Sequence, residues 1–433
     1  MKGQNLWRIA KKYIASGNML LSKNPDTFLP KLWPSYFQKT KGCFIWDLDG
    51  KKYIDMSTMS VGTNVLGYNN TQVDNAVRDI VKKGNMSTLN CPEEVYLAKE
   101  LIKAHKWSSF AKFARTGAEA NSIAVRIARS YSKKKNIAIC GYHGWHDWYL
   151  STNLSLKDSL KDHLLPGLSS SGIPDGLKNS TYPFKFNCID SFKKVIKIKK
   201  IGIVIMEVAR SQKPKKNYLK EIRSLCTKNK ITLIFDECTT GFRENYGGMH
   251  KTYKVDPDLA VFGKALGNGY AITSVIGKKK YKKFAEKTFM SSTFWTERIG
   301  PAAGLKTLEL MKKNKPWKII KKNSLYLREE IVRLAKKNNL EISISDVTSI
   351  LSFSFKSIKH REYKTYLTQE MLRENILAGT SIYLSISHNK KILKKYLYSL
   401  NKIFKVIKEC ENGKNIYKLL KTSLCQLGIK RTN

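Results

Sequence analysis

Residues 233–270 read LIFDECTTGFRENYGGMHKTYKVDPDLAVFGKALGNGY and hold two side chains suited to covalent chemistry. Asp236 ends an apolar, β-branched run from Ile231 to Phe235. Lys264 follows a second short run, Leu259 to Phe262, and precedes the glycine-broken turn Gly267-Asn268-Gly269. In open α/β sheets ligands bind beyond the carboxyl ends of the strands, so neighbouring strands would deliver this carboxylate and this amine into one crevice. Such a pair suits pyridoxal phosphate (PLP). The lysine forms a Schiff base with the aldehyde, and the acid keeps the pyridine nitrogen protonated. The same two residues also suit a structural ion pair at the rim of a sheet, and this stretch alone leaves both readings open.

The flanking sequence supplies the elements that must position them. Continuous apolar runs mark strands buried on both faces, here Phe110 to Ala114, Asn136 to Cys140, Ile201 to Met206 and the two runs above. Amphipathic helices separate them, which predicts a largely parallel sheet with right-handed crossovers. After Phe110 to Ala114 the chain turns through Arg115-Thr116-Gly117-Ala118-Glu119-Ala120 into a helix. A helix opening at Thr116 with small residues offers backbone N–H groups to a phosphate, or is an ordinary N-cap. Tyr142 and His143 follow the Asn136 strand and suit stacking on a flat ring. His143 and His146 lack a third metal ligand, and a structural role is expected for them. Glu207 ends the Ile201 strand, and Lys157 to Phe186 reads as a long loop, often a lid. Cys43 to Asp55 is a hairpin about Asp49-Gly50 with a tight primed turn. Beyond Pro316, helices (Trp317 to Lys337, Lys364 to Arg373, Ile392 to Cys410) alternate with strands (Leu340 to Ile344, Ile350 to Phe355, Ile382 to Ser387), and a last helix runs from Ile416 to Leu427 into a basic tail. The expected division is an N-terminal arm and hairpin over 1–65, a large domain over 66–312 and a small α+β domain over 313–433.

Composition narrows the function classes. A chain of 433 residues, 42% hydrophobic, can bury a large core. The net charge of +45, from 79 Lys+Arg against 34 Asp+Glu, raises the question of a nucleic-acid or anionic-surface partner. The basic residues are dispersed in short runs such as Lys133 to Lys135 and Lys278 to Lys280, with no nucleic-acid-binding signature, so a solvated surface is expected and no nucleic acid. Eight scattered cysteines read as reduced thiols, and no apolar run reaches membrane-spanning length, so a cytoplasmic protein without a membrane partner is expected.

Taken together the motifs DLDGKKYIDM, ARTGAEANSIAVRIAR, GYHGWHD, LIFDECTTGFR, DPDLAVFGKALGNG and STF resemble, in order, the class III aminotransferases of PLP fold type I, in the branch of glutamate-1-semialdehyde aminomutase. The resemblance runs from about Phe44 to Leu310 and more weakly to His388. It implies an α/β fold, with a mainly parallel central sheet in a large domain and a smaller α+β domain built from both chain ends. It implies PLP as cofactor, Lys264 as the Schiff-base lysine, Asp236 as the partner of the pyridine nitrogen, Gly117 and Ala118 as phosphate donors, and Tyr142 as the stacking ring. Glu207 matches a pocket glutamate of the cofactor site. Thr293 would reach the phosphate in the neighbouring subunit, which implies a homodimer with shared sites.

Departures bear on the substrate. Near the N-terminus the arginine-bearing segment with which the aminomutase holds its substrate carboxylate has no clear counterpart. Gly379-Thr380-Ser381-Ile382-Tyr383 stands where the aminomutase carries a glutamate, and Trp295-Thr296-Glu297-Arg298 replaces the family's Asn-Pro after Thr293-Phe294. The expected activity is amino transfer between a small amine or amino acid and a carbonyl acceptor, with intramolecular transfer by an aminomutase as the alternative. A third reading, from another class, is a basic non-catalytic binding protein on the same fold, against which the intact Asp236 and Lys264 argue.

Overall fold

The continuous apolar runs become the buried strands of a computed structural model that describes residues 1–155, 159–160, 163, 168–198, 200–209 and 211–426. The chain divides into two units, Met1–Asn70 with Lys318–Asn433, and Thr71–Trp317.

The first unit begins with a helix, Lys2–Tyr13, and an antiparallel meander of β1 (Phe37–Lys41), β2 (Phe44–Asp47) and β3 (Lys52–Asp55). The expected hairpin is the β2–β3 pair, with Phe44 opposite Ile54 and Trp46 opposite Lys52. Its turn is wider than a two-residue primed turn. Of the connecting residues only Gly50 takes positive φ (79°), and the Asp47 carboxylate accepts the N–H groups of Asp49 (3.0 Å) and Lys51 (2.9 Å).

The second unit carries the main sheet: β4 (Phe110–Ala114), β5 (Asn136–Cys140), β6 (Thr181–Pro183), β7 (Ile201–Glu207), β8 (Thr232–Asp236), β9 (Leu259–Phe262) and β10 (Thr273–Gly277). Their spatial order is β4-β10-β9-β8-β7-β5-β6. The pairs from β6 through β9 are parallel, whereas β10 runs antiparallel to both β9 and β4. Every residue of β7, β8 and β9 is buried, as central strands covered on both faces require. The stretch expected as one long loop contributes β6 instead, with Ile137 opposite Thr181. Three residues are too few to show alternation, and Pro183 is tolerated because β6 lies at the sheet edge. Within that stretch 157–158, 161–162 and 164–167 lie outside the described residues.

The first unit resumes with β11 (Ile342–Ile344), β12 (Leu351–Phe355), β13 (Ile376–Leu377) and β14 (Ser381–Ile382). Strand β13 joins β3 in parallel, and β11, β12 and β14 form a separate sheet. The strand expected over Ile382 to Ser387 stops early because the chain turns at Ser385, whose carbonyl accepts the His388 N–H (3.2 Å). The helix expected from Ile416 is a single turn, Ile416–Lys418. Beyond it the backbone serves other elements: Lys421 N–H donates to Gln369 Oε1 (2.6 Å), Cys425 N–H to Thr365 Oγ1 (3.0 Å) and Gln426 N–H to Asp26 O (2.7 Å). Leu427 and the basic tail lie outside the described residues. Among the described residues no helix is long and apolar enough to cross a membrane.

Candidate active site

The β7–β8–β9 register decides which acids meet. Glu207 and Asp236 are paired last residues of adjacent parallel strands, and Asp236 is also opposite Val261. Successive strand residues point to opposite faces, and the neighbours Asp236 and Glu237 find separate surroundings. Glu237, fully buried, accepts hydrogen bonds from Thr240 Oγ1 (2.6 Å), Met249 N–H, His250 N–H and His250 Nδ1 (each 2.8 Å). It closes the 237–250 loop upon itself.

Asp236, 4% exposed, is held by three donors. Asn121 Nδ2 (2.7 Å) and His143 Nδ1 (2.9 Å) donate to Oδ2, and the Cys238 N–H donates to Oδ1 (3.0 Å). Burial pushes the carboxyl pKa up, but the bond and charge of His143, the Cys238 N–H and the nearby Lys264 ammonium outweigh it and hold the group below the ordinary aspartate value. A carboxylate offers about four lone-pair sites, so Oδ1 keeps room for a further donor.

Lys264 directly follows Gly263 at the end of β9 and opens a short 3-10 turn, Lys264–Gly267. Its φ of 29° is unusual for a residue with a side chain; strained backbone of this kind clusters at functional sites. Its Nζ donates to Thr239 Oγ1 (2.8 Å).

The helix Gly117–Ser132 carries a capping box, in which Thr116 Oγ1 accepts from Glu119 N–H (3.3 Å) and Glu119 Oε2 from Thr116 N–H (2.7 Å). The N–H groups of Gly117 and Ala118 have no acceptor among the described residues. Cys238 joins this helix end to the two strand ends. A Cβ at Gly117 would lie 3.1 Å from its sulfur, and one at Gly263 3.3 Å. Burial, reinforced by the Asp236 charge, pushes the Cys238 thiol well above its usual pKa.

The loop after β5 completes the cluster. Gly141 has φ 120°, and a Cβ there would lie 2.6 Å from Glu207 Oε2, which accepts the Tyr142 N–H (3.1 Å). Glu207 therefore holds the backbone that carries the Tyr142 ring. Gly144, φ 112°, sits where a Cβ would fall 2.5 Å from Ala118 Cβ, so the loop lies on the first turn of the helix. Contacts thus bring together Gly117, Ala118, Tyr142, Glu207, Asp236 and Lys264. Thr293 is exposed in the turn Thr293–Thr296 and forms no hydrogen bond to that set.

The sequence alone does not single out Asn121, Cys238 or Thr239, and it offers His143 for ring stacking or a structural place, whereas the structure sets its Nδ1 on Asp236. One signal was available for Asn121, a lone amide on the apolar face formed by Ala120, Ile123 and Ala124. His146 lies apart from Asp236 in its contacts, its ring stacked on Trp145 (4.4 Å). Among the described residues no group of three potential metal ligands assembles.

An ionised buried acid, an amine at the neighbouring strand end and two unused N–H groups at a helix start make a set of donors and acceptors that fits PLP. The family described as "Aminotransferase class-III" matches residues 31–389. The chain belongs to that class III aminotransferase family. It is a PLP-dependent enzyme, and enzymes of this family act on small amine and carbonyl substrates. It is 31% identical over 378 residues to 3-aminobutyryl-CoA aminotransferase of Cloacimonas acidaminovorans, covering 84% of this chain and 87% of that one. It is 29% identical to glutamate-1-semialdehyde 2,1-aminomutase of Sulfurihydrogenibium azorense, covering 94% and 99%. In fold it resembles the FumI protein of Sphingopyxis sp. MTA144, with TM-score 0.85 at 20% identity over 96% of this chain and 99% of that one. The class III aminotransferase architecture is PLP fold type I, with one reversed strand, β10, in an otherwise parallel sheet.

Proposed function

We propose that this class III aminotransferase moves an amino group between a small amine or amino acid and a carbonyl acceptor, with Lys264 as the amine that bonds the cofactor. The observation that carries the reading is the buried, ionised Asp236 beside the strand end that bears Lys264. Bound here, PLP supplies an aldehyde for the amine and a pyridinium ring that withdraws electrons. Asp236 holds the proton on the ring nitrogen. Gly117 and Ala118 N–H groups bind the phosphate, and Tyr142, its backbone fixed by Glu207, covers the ring face. Lys264 Nζ, oriented by Thr239, would hold and return the proton at the substrate α-carbon. Thr293, exposed in the single chain, serves the phosphate of a second copy, so the working unit is a homodimer with shared sites. The eight cysteines are unpaired, which supports a cytoplasmic location.

Intramolecular transfer is the second reading, favoured by an aminomutase match that spans 94% of this chain. One experiment separates the two. Cofactor-loaded protein is offered single amines and amino acids while the absorbance of the cofactor's aldehyde form is followed. Stable conversion to the amine form, reversed by an added carbonyl compound, supports transamination. Isomerisation of one compound without release of a carbonyl product supports the aminomutase. A protein that converts no amine in any arm overturns both.

A further inference from the structure

Arg115 leads into the phosphate-binding turn, and by position it is the obvious cation for a phosphate. Its guanidinium is instead engaged by the 295–297 segment. Nη2 donates to the carbonyls of Trp295 and Glu297 (each 2.9 Å), Nη1 donates to Ala114 O (3.3 Å), and Nε pairs with Glu297 Oε1 (2.9 Å). Trp295 adds a second tie, its Nε1 donating to Glu119 Oε1 (3.1 Å) while Glu119 Oε2 closes the capping box at Thr116. Glu297 also accepts the N–H groups of Ile299 (2.7 Å) and Gly300 (2.9 Å) at the start of the Ile299–Asn314 helix. One network therefore joins the caps of two helices, and Thr293 hangs two residues ahead of it. Charge-assisted hydrogen bonds from a guanidinium to two carbonyls, with an ion pair beside them, fix geometry as well as contributing energy.

We infer that Arg115, with Glu119 and Trp295, is a positioning residue for Thr293, latching the 293–297 segment to the cap of the Gly117–Ser132 helix. This rests on the reading of Thr293 as a phosphate ligand shared between subunits. Under that reading the loop lent to one cofactor and the helix that holds the other are a single piece, so the latch acts on phosphate binding without touching phosphate.

The test is a cofactor titration of PLP-depleted full-length protein, read by protein fluorescence, for Arg115→Met, Thr293→Ala and the double variant. Arg115→Met is expected to raise half-saturation about tenfold, equivalent to about 1.4 kcal/mol. In the Thr293→Ala background the same substitution should add little, because coupled residues are not additive. Trp295→Phe, which keeps a ring and loses only the indole N–H, should show the same pattern at smaller size and serves if Arg115→Met does not fold. If Thr293→Ala weakens binding and each latch substitution adds its full effect on top, or has none in either background, the latch is overturned and Thr293 stands. If Thr293→Ala alone leaves binding unchanged, the shared-ligand reading falls and the latch with it.

Discussion

His143→Phe isolates what keeps Asp236 ionised. The substitution keeps a buried ring and removes the Nδ1 donor that lies 2.9 Å from Oδ2. Asn121 and the Cys238 N–H remain in place. A hydrogen bond to a charged group contributes about 1.5–3 kcal/mol. Losing that donor removes stabilisation of the ionised carboxylate, so the Asp236 pKa rises. The sign follows from linkage. The Asp236 pKa is depressed in the folded state, so its stabilising contribution is present above the unfolded-state value and is lost as pH falls through the folded-state value. Raising the folded-state pKa moves that loss to higher pH. Urea midpoints and retention of the cofactor, measured between about pH 3 and 8, should therefore show an acid limb at higher pH in His143→Phe than in the parent, with up to about 1.5–3 kcal/mol of stability lost above it. His146→Phe is the control, since that ring stacks on Trp145 and makes no bond to Asp236. A folded His143→Phe whose acid limb stays in place refutes the argument that His143 sets the charge of Asp236.

Three further outcomes are expected. Lys264→Ala should leave no cofactor covalently attached after borohydride reduction and denaturing mass spectrometry, and should abolish turnover. Undiminished attachment would remove Lys264 from the mechanism. Thr293→Ala should weaken cofactor retention about ten- to a hundredfold, from the cost of leaving a charged phosphate short of one donor. Co-expressed with Lys264→Ala chains it should give mixed dimers that recover activity at one intact site, and mixed dimers that form yet stay inactive would contradict shared sites. Gly144→Ala should destabilise the chain by about 2–4 kcal/mol, because its φ of 112° and a Cβ 2.5 Å from Ala118 Cβ act together. Gly50→Ala, with φ 79° and open space around it, should cost only about 1 kcal/mol in urea unfolding.

The parts of the site that were legible from sequence are those with a local signature. A strand buried on both faces is a continuous apolar run, so the ends of β8 and β9 were visible, and with them the placement of Asp236 and Lys264. Thr116 ahead of a turn of small residues reads as an N-cap, which marked the start of the helix at Gly117; the structure adds the reciprocal bond of Glu119. The supports of Asp236 carry less: Asn121 shows only as a lone amide on an apolar helix face, and nothing local ties it or His143 to Asp236. Asn121 and His143 reach it across 115 and 93 residues of chain, a pairing that only the sheet order creates. The same limit explains the helix expected at 416–427. Its composition suits a helix, but long-range partners such as Thr365 and Asp26 take its N–H groups and draw the backbone out. Strand β6 was hidden for another reason, since its three residues form a strand only because β5 offers an unpaired edge.

Asp236 and Glu237 show why residue type alone does not assign chemistry. Both are carboxylates at one strand end, both are almost fully buried, and in both the bonds they accept outweigh burial and depress the pKa. Glu237 spends its oxygens on four donors drawn from a loop that returns to it, and a Cβ on Gly248 would fall 2.7 Å from its Oε1. No approach is left for a ligand, and ionisation there stabilises the fold. Asp236 accepts three donors, two of them crowded onto Oδ2, while Oδ1 takes the Cys238 N–H. Its charge is fixed from the side of the Gly117–Ser132 helix and the β5 loop, and Oδ1 retains the capacity to accept one more proton donor. A buried anion held ionised by donors on one oxygen, with acceptor capacity kept on the other, is the arrangement that binding a pyridinium N–H requires.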